Sequence, residues 1–269
     1  MSQTPSWVID IERLALGKPV LLVEGKTDKT WLEHFLMQHK PGCEQRMYVA
    51  VAGGKRQVSK CVTDYRPGWI GVLDRDEWRE ADVLAEAAKS SRLHVLPRFC
   101  IESYLCDPDE IWVALPPQQW AKVGGSIVTL AKPIQDALPA WVAHGAMWRV
   151  LREFREASRF PAELEEHPVI DETKIRQILA GWHEGLAPDA VLAQYRSELA
   201  RANGLSMTEQ LRGYIHGKKF FNQVVVQVLD QLFAGQGADD WQQKLRGDAP
   251  ILPPPDLTAL LDQILALLP

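Results

Sequence analysis

No stretch of this chain approaches the ~18 consecutive apolar residues that a membrane-spanning helix requires. The opening residues, MSQTPSWVIDIERL, carry acids where a secretory signal needs a basic start and an apolar run. The expectation is a cytoplasmic protein with no membrane partner. Cysteine is scarce, and Cys43, Cys61, Cys100 and Cys106 form neither a CxxC pair nor a Cys/His ligand spacing. That pattern indicates no structural zinc and no disulfide framework, and it leaves four reduced thiols acting as small apolar side chains. The seven histidines show no HxH or HExxH pattern, and no serine or cysteine stands in a nucleophile elbow, so covalent catalysis is not suggested. Positive charge is not in excess: the net charge is -5 and the pI near 5.8. A protein that coats nucleic acid through its overall field is thereby excluded, and any such contact must be local. A Walker A motif is also missing, so ATP hydrolysis would belong to a separate partner.

What is present is enough apolar material to build a sizeable core, 46% of 269 residues. Pro19-Val20-Leu21-Leu22-Val23 reads as a strand that meets Glu24-Gly25, and DKTWLEHFLMQH follows with helical spacing through Trp31, Leu32, Phe35 and Leu36. MYVAVA at 47–52, WIGVLD at 69–74 and RLHVLP at 92–97 are further strands, separated by the helical stretches KRQVSKCVTDY and EADVLAEAAKS. Strands alternating with helices predict an α/β fold with a mainly parallel sheet flanked by helices, whose ligands gather beyond the carboxyl ends of the strands. From about residue 115 the strand signals fade, and helices are expected over roughly 132–158, 171–184, 187–203, 206–233 and 256–268. The organisation is thus an N-terminal segment 1–17, a core 18–115 and a helical half 116–269 that packs on the core and shapes the substrate site.

Glu24 and Asp74 both fall at the ends of apolar runs. Asp74 and Asp76 are two apart, and if the extended run continues through them, both point one way and Arg75 the other. Asp28 lies on the first turn of the helix after Glu24. Singly, an Asp there is a helix cap, and a DxD after a strand is a solvated turn. Together they are a set of hard oxygen donors suited to Mg²⁺ or Mn²⁺.

That set carries a resemblance. LLVEGKTD, followed fifty residues after its glutamate by GVLDRD, resembles the Toprim signature, an apolar strand ending in EGxxD and a later strand ending in DxD. With IESYL at 101–105, the chain resembles most the stand-alone Toprim-like proteins of the 4435 family of domains of unknown function, relatives of the OLD nucleases. The likeness covers about residues 18–110 and thins to a short GKKFF-like element at 217–221. It implies a Toprim, Rossmann-like core followed by an α-helical C-terminal half. It further implies a metal-dependent nuclease acting on DNA or RNA, tRNA included, with one or two Mg²⁺ or Mn²⁺ ions. On that likeness Glu24, Asp74, Asp76 and Lys218 are the catalytic candidates, and Glu24, Asp28, Asp74, Asp76 and Glu102 the metal ligands. A role in bacterial anti-phage defence beside a separate ATPase sensor is implied as well. The alternatives are a non-catalytic docking or regulatory module on the same fold and a primase-like nucleotidyl transferase, and a homodimer is compatible with either.

Candidate nucleic-acid contacts are Lys26, Lys55, Arg56, Lys218 and Lys219. Gly53-Gly54-Lys55-Arg56 follows the second strand, where backbone amides and Lys55 could meet a phosphate or form a plain turn. Gly217 is a poor helix residue that needs a packing or functional reason. Arg149, Arg152, Arg155 and Arg159 share one helix face with Glu153 and Glu156 beside them, either a salt-bridged solvated face or a nucleic-acid track. Most of the ten tryptophans, with Trp31, Trp148 and Trp182 at core-like spacing, are assigned to packing before base stacking.

Overall fold

A computed structural model describes residues 4–152, 171–182, 188–234, 237–247 and 250–269. The strands are β1 (Val20–Val23), β2 (Tyr48–Val51), β3 (Ile70–Leu73) and β4 (Leu93–Val95). All pairings are parallel and the order is β2-β1-β3-β4. Every side chain of β1 and β3 is buried, as a parallel sheet covered on both faces requires. Val20 and Leu22 join one apolar cluster, Leu21 and Val23 the other, following the period of two.

Three helical elements cover these faces. Helix α1 (Ser6–Ala15) buries Val8, Ile11 and Ala15 on the Val20/Leu22 side. It is joined there by α3 (Lys55–Lys60), which runs on into a π turn over Cys61–Tyr65. Gly71 of β3 seats α3: a Cβ there would lie 2.8 to 3.0 Å from Leu93, Val58 and Val62. Helix α2 (Lys26–His39) covers the other face with Trp31, Leu32, Phe35 and Leu36, and α4 (Glu80–Ala87) connects β3 to β4.

Beyond β4 comes a 3-10 turn (Ile101–Leu105), then α5 (Pro108–Ala114), α6 (Pro117–Lys122) and the long α7 (Val128–Leu151). They are followed by α8 (Glu172–Trp182), α9 (Pro188–Asn203), α10 (Met207–Gly213), α11 (Gly217–Phe220), a π turn (Phe221–Val225), α12 (Val226–Phe233), α13 (Ala238–Arg246) and α14 (Pro255–Ala266). One apolar cluster runs from Leu21 and Val23 through Trp141 and Phe220 to Ile264.

Several expectations need correction. The single helix expected over 206–233 is divided, because Gly145 of α7 lies directly on the backbone at Tyr214, where a Cβ would come 1.6 Å from the carbonyl oxygen. The stretch 238–246 is a helix that periodicity missed, since only Trp241 and Leu245 of its nine residues are buried. Arg149 belongs neither to a solvated face nor to a track: it is buried, with Glu198 at 3.3 Å, the Trp78 carbonyl at 3.1 Å and the Tyr214 ring beneath its guanidinium. Arg152 pairs with Asp82. Arg155, Arg159, Glu153 and Glu156 lie outside the described residues, as does the side chain of Trp182. Trp31 is fully buried, in line with a packing role.

Candidate metal centre

The chain runs from β1 outward to β2 and then back across the sheet to β3, so the space between β1 and β3 is where the direction of winding reverses. Ligands of open α/β sheets bind beyond the strand ends at such a point. Glu24 follows the last residue of β1 and Asp74 the last residue of β3, and Glu24 Oε1 accepts the Asp74 N–H at 2.8 Å. That bond ties the two strand ends together.

An open cleft of about 580 Å³ spreads over this point, lined by Glu24, Asp28, Asp74, Asp76, Glu102 and Lys218 among others. Asp28 caps α2, its Oδ2 accepting the Gly25 N–H at 2.7 Å, and it also faces the cleft, so the cap and the site residue are one carboxylate. Glu102 is buried on the 3-10 turn. Lys218 enters from α11, which packs against that turn: a Cβ on Gly217 would lie 2.3 Å from Ser103 Oγ and 2.4 Å from its nitrogen, so only glycine fits. Cys106 also reaches across, its thiol 3.5 Å from the Gly217 carbonyl. Contact with Ser103 is the packing reason that this glycine called for.

Asp76 departs from the expected geometry. β3 ends at Leu73, and Asp76 takes a left-handed conformation with φ 50, so the period-two argument does not apply to it. The left-handed residue, held by its N–H to the Phe99 carbonyl at 2.8 Å, brings the side chain to the cleft instead. Its Oδ2 accepts from Lys55 Nζ at 2.7 Å, and the same ammonium lies 4.0 Å over the Trp78 ring. Arg75 turns out to Glu80 at 2.8 Å.

The electrostatics are those of crowded carboxylates. Burial pushes Glu24 up to about 7, against the lowering pull of Lys55 and the Asp74 amide, while Asp76 and Asp28 raise it further. Asp74 is held well above the usual carboxylate range by burial first and then by Asp28, Asp76, Glu24 and Glu102. Asp28 is raised by burial, opposed by the Gly25 amide and by Lys218. Converging carboxylates that raise one another need protons, cations or both. Oxygen donors in a roomy, open cleft fit a hard divalent ion that keeps several of its waters. Among the described residues no three such side chains already close around an ion. Asp76 is engaged by Lys55, and the other carboxylates repel.

Of the remaining candidates, Lys26 lies at the mouth of the cleft. Arg56 faces a neighbouring trough with Lys60 and Lys89, which also has Lys55 on its wall. Lys219 lines a separate pocket beyond His216. Residues that sequence reasoning left without a role are Trp78, the platform under Lys55, and His216, which stacks on Phe99 at 5.2 Å and borders both cavities. The available signal was proximity, Trp78 two residues after the DxD and His216 two before Lys218. Burial pushes His216 down to about 4, with Lys219 adding to the effect.

No protein-family model matches the chain, and no curated protein matches it.

Proposed function

We propose that the cleft between β1 and β3 is the centre of a Mg²⁺- or Mn²⁺-dependent nuclease of the Toprim type, hydrolysing phosphodiester bonds in DNA or RNA. The observation that carries the reading is the Glu24 to Asp74 bond across the two strand ends, with Asp28, Asp76 and Glu102 around it. The ligands of the ion, or pair of ions, would be Glu24, Asp28, Asp74, Asp76 and Glu102. Bound there, the ion would offset charge on the scissile phosphate and make water more acidic. Glu24 spends one oxygen on the Asp74 amide, and its other oxygen would serve either as an ion ligand or as the acceptor of the proton from the attacking water. Lys218 and Lys26 at the mouth bind phosphate charge, and Lys55 fixes Asp76. By its resemblance the chain acts as an effector of bacterial anti-phage defence beside a separate ATPase.

The test is cleavage of plasmid, single-stranded DNA and total RNA including tRNA, with Mg²⁺, Mn²⁺ or chelator. Cutting that requires metal and falls at least a thousandfold in Glu24→Gln is the expected result. No cutting of any substrate, with a metal-induced rise in melting temperature still present, overturns it in favour of a docking module.

A further inference from the structure

We propose that the pocket beyond His216 receives one unpaired nucleobase from the strand whose backbone crosses the carboxylate cleft. The pocket is partly open, about 110 Å³, and walled by Phe99, His144, Trp148, Tyr214 and His216. Gly145, at which α7 lies directly on the Tyr214 backbone, also lines it. At the ~10–15 Å³ each water needs, the space holds several waters or one flat ring system, and not a base pair.

The lining suits a base. Aromatic faces stack on any base with little regard to sequence. Trp148 donates its indole N–H to His144 Nε2 at 3.0 Å, which fixes both ring planes, and His216 is fixed by its stack on Phe99. Lys219 and Glu77 complete the polar part of the lining. Position decides the ligand: Asp76 and His216 border both this pocket and the cleft, so a nucleotide whose phosphate lies over the carboxylates has its base within reach of the rings. A base stacked in a duplex cannot enter without leaving the stack, so the site selects single-stranded or locally unpaired substrate.

The inference rests on the nuclease reading for the identity of its ligand, so its test is read as binding in chelator, where no cutting is needed. Strands of about twelve nucleotides, oligothymidylate and oligouridylate, are compared with abasic strands of the same sugar-phosphate backbone. With the wild-type protein, at least one base-bearing strand binds about tenfold more tightly than its abasic counterpart, and which one does so separates DNA from RNA. Trp148→Ala brings the two to equal affinity by weakening only the base-bearing strand, and Trp148→Phe restores most of the difference. Equal binding of base-bearing and abasic strands by the wild type overturns the proposal, as does failure to bind any strand, and neither result depends on how a variant folds. Loss of the nuclease reading alone would appear as base-dependent binding without metal-dependent cutting.

Discussion

At Asp76 the backbone adopts a conformation that costs a residue other than glycine about 1–2 kcal/mol, and aspartate is among the residues that tolerate it. The sequence suggests a strand continuing through this carboxylate, but β3 ends at Leu73 and Asp76 reaches the cleft by another route, because a period of two says nothing once the strand has stopped. Glu24 and Asp74, each one residue past a buried strand, were legible for the opposite reason: apolar runs stop where the sheet does. The same crowding has a pH signature. Glu24 has a folded pKa of about 7 against 4.5 unfolded, so between those values the folded protein binds more protons than the unfolded one. Stability must then fall as pH rises through that window and level off above it, and Asp74, raised as well, adds in the same direction. Melting in chelator should therefore show a lower midpoint at pH 8 than at pH 5.5, and Glu24→Gln should flatten part of the slope. A midpoint that climbs with pH would show that the carboxylates are not crowded.

Among the elements, the junction of the 3-10 turn with α11 brings Glu102 and Lys218 to the same cleft. Both IESYL and GKKFF were noticed in the sequence, yet nothing in either announces contact across more than a hundred residues. Gly217 is the hinge of that contact. In Gly217→Ala the new methyl meets the Ser103 nitrogen and Cα as well as its hydroxyl, so the turn or the helix must shift. Overpacking of this kind costs about 1–3 kcal/mol, measured by urea unfolding. Gly68→Ala, where a Cβ meets nothing within 4 Å, is the control and should stay within ~0.5 kcal/mol. Equal unfolding midpoints for the two variants would remove the junction as a positioning device. Elements rich in polar residues were the least legible: α13 shows two buried side chains in nine, too few to announce a helix by periodicity. Arg149, by contrast, read as surface because an arginine on a helical stripe usually is, and the distant Glu198, Tyr214 and Trp78 carbonyl make its burial tolerable.

For the molecule as a whole, the sequence marks a change of texture near residue 115, while the apolar interior continues across it. Helix α2 shows why. Trp31 donates to Gln242 at 3.3 Å, the His34 ring lies 3.0 Å from the Ile251 carbonyl and His39 reaches Asp262 at 2.7 Å, so a core helix is docked on the last thirty residues. Arg98, buried between Glu110 and Asp256, fastens the loop after β4 to the same region. A fragment of residues 1–115 should accordingly keep helical far-ultraviolet dichroism but lose fixed aromatic signals and bind a hydrophobic dye. A cooperative unfolding transition from that fragment would show two independently folding parts.

The packing of Gly217 on Ser103 also sets an order in time. When a ribosome has released the first half of the chain, Glu24, Asp28, Asp74, Asp76 and Glu102 have all been made, but the wall that bears His216 and Lys218 has not. The cleft is finished only after residue 218 emerges and docks, so while residues 103–218 are being made the carboxylates are assembled in sequence and the site is still incomplete in space.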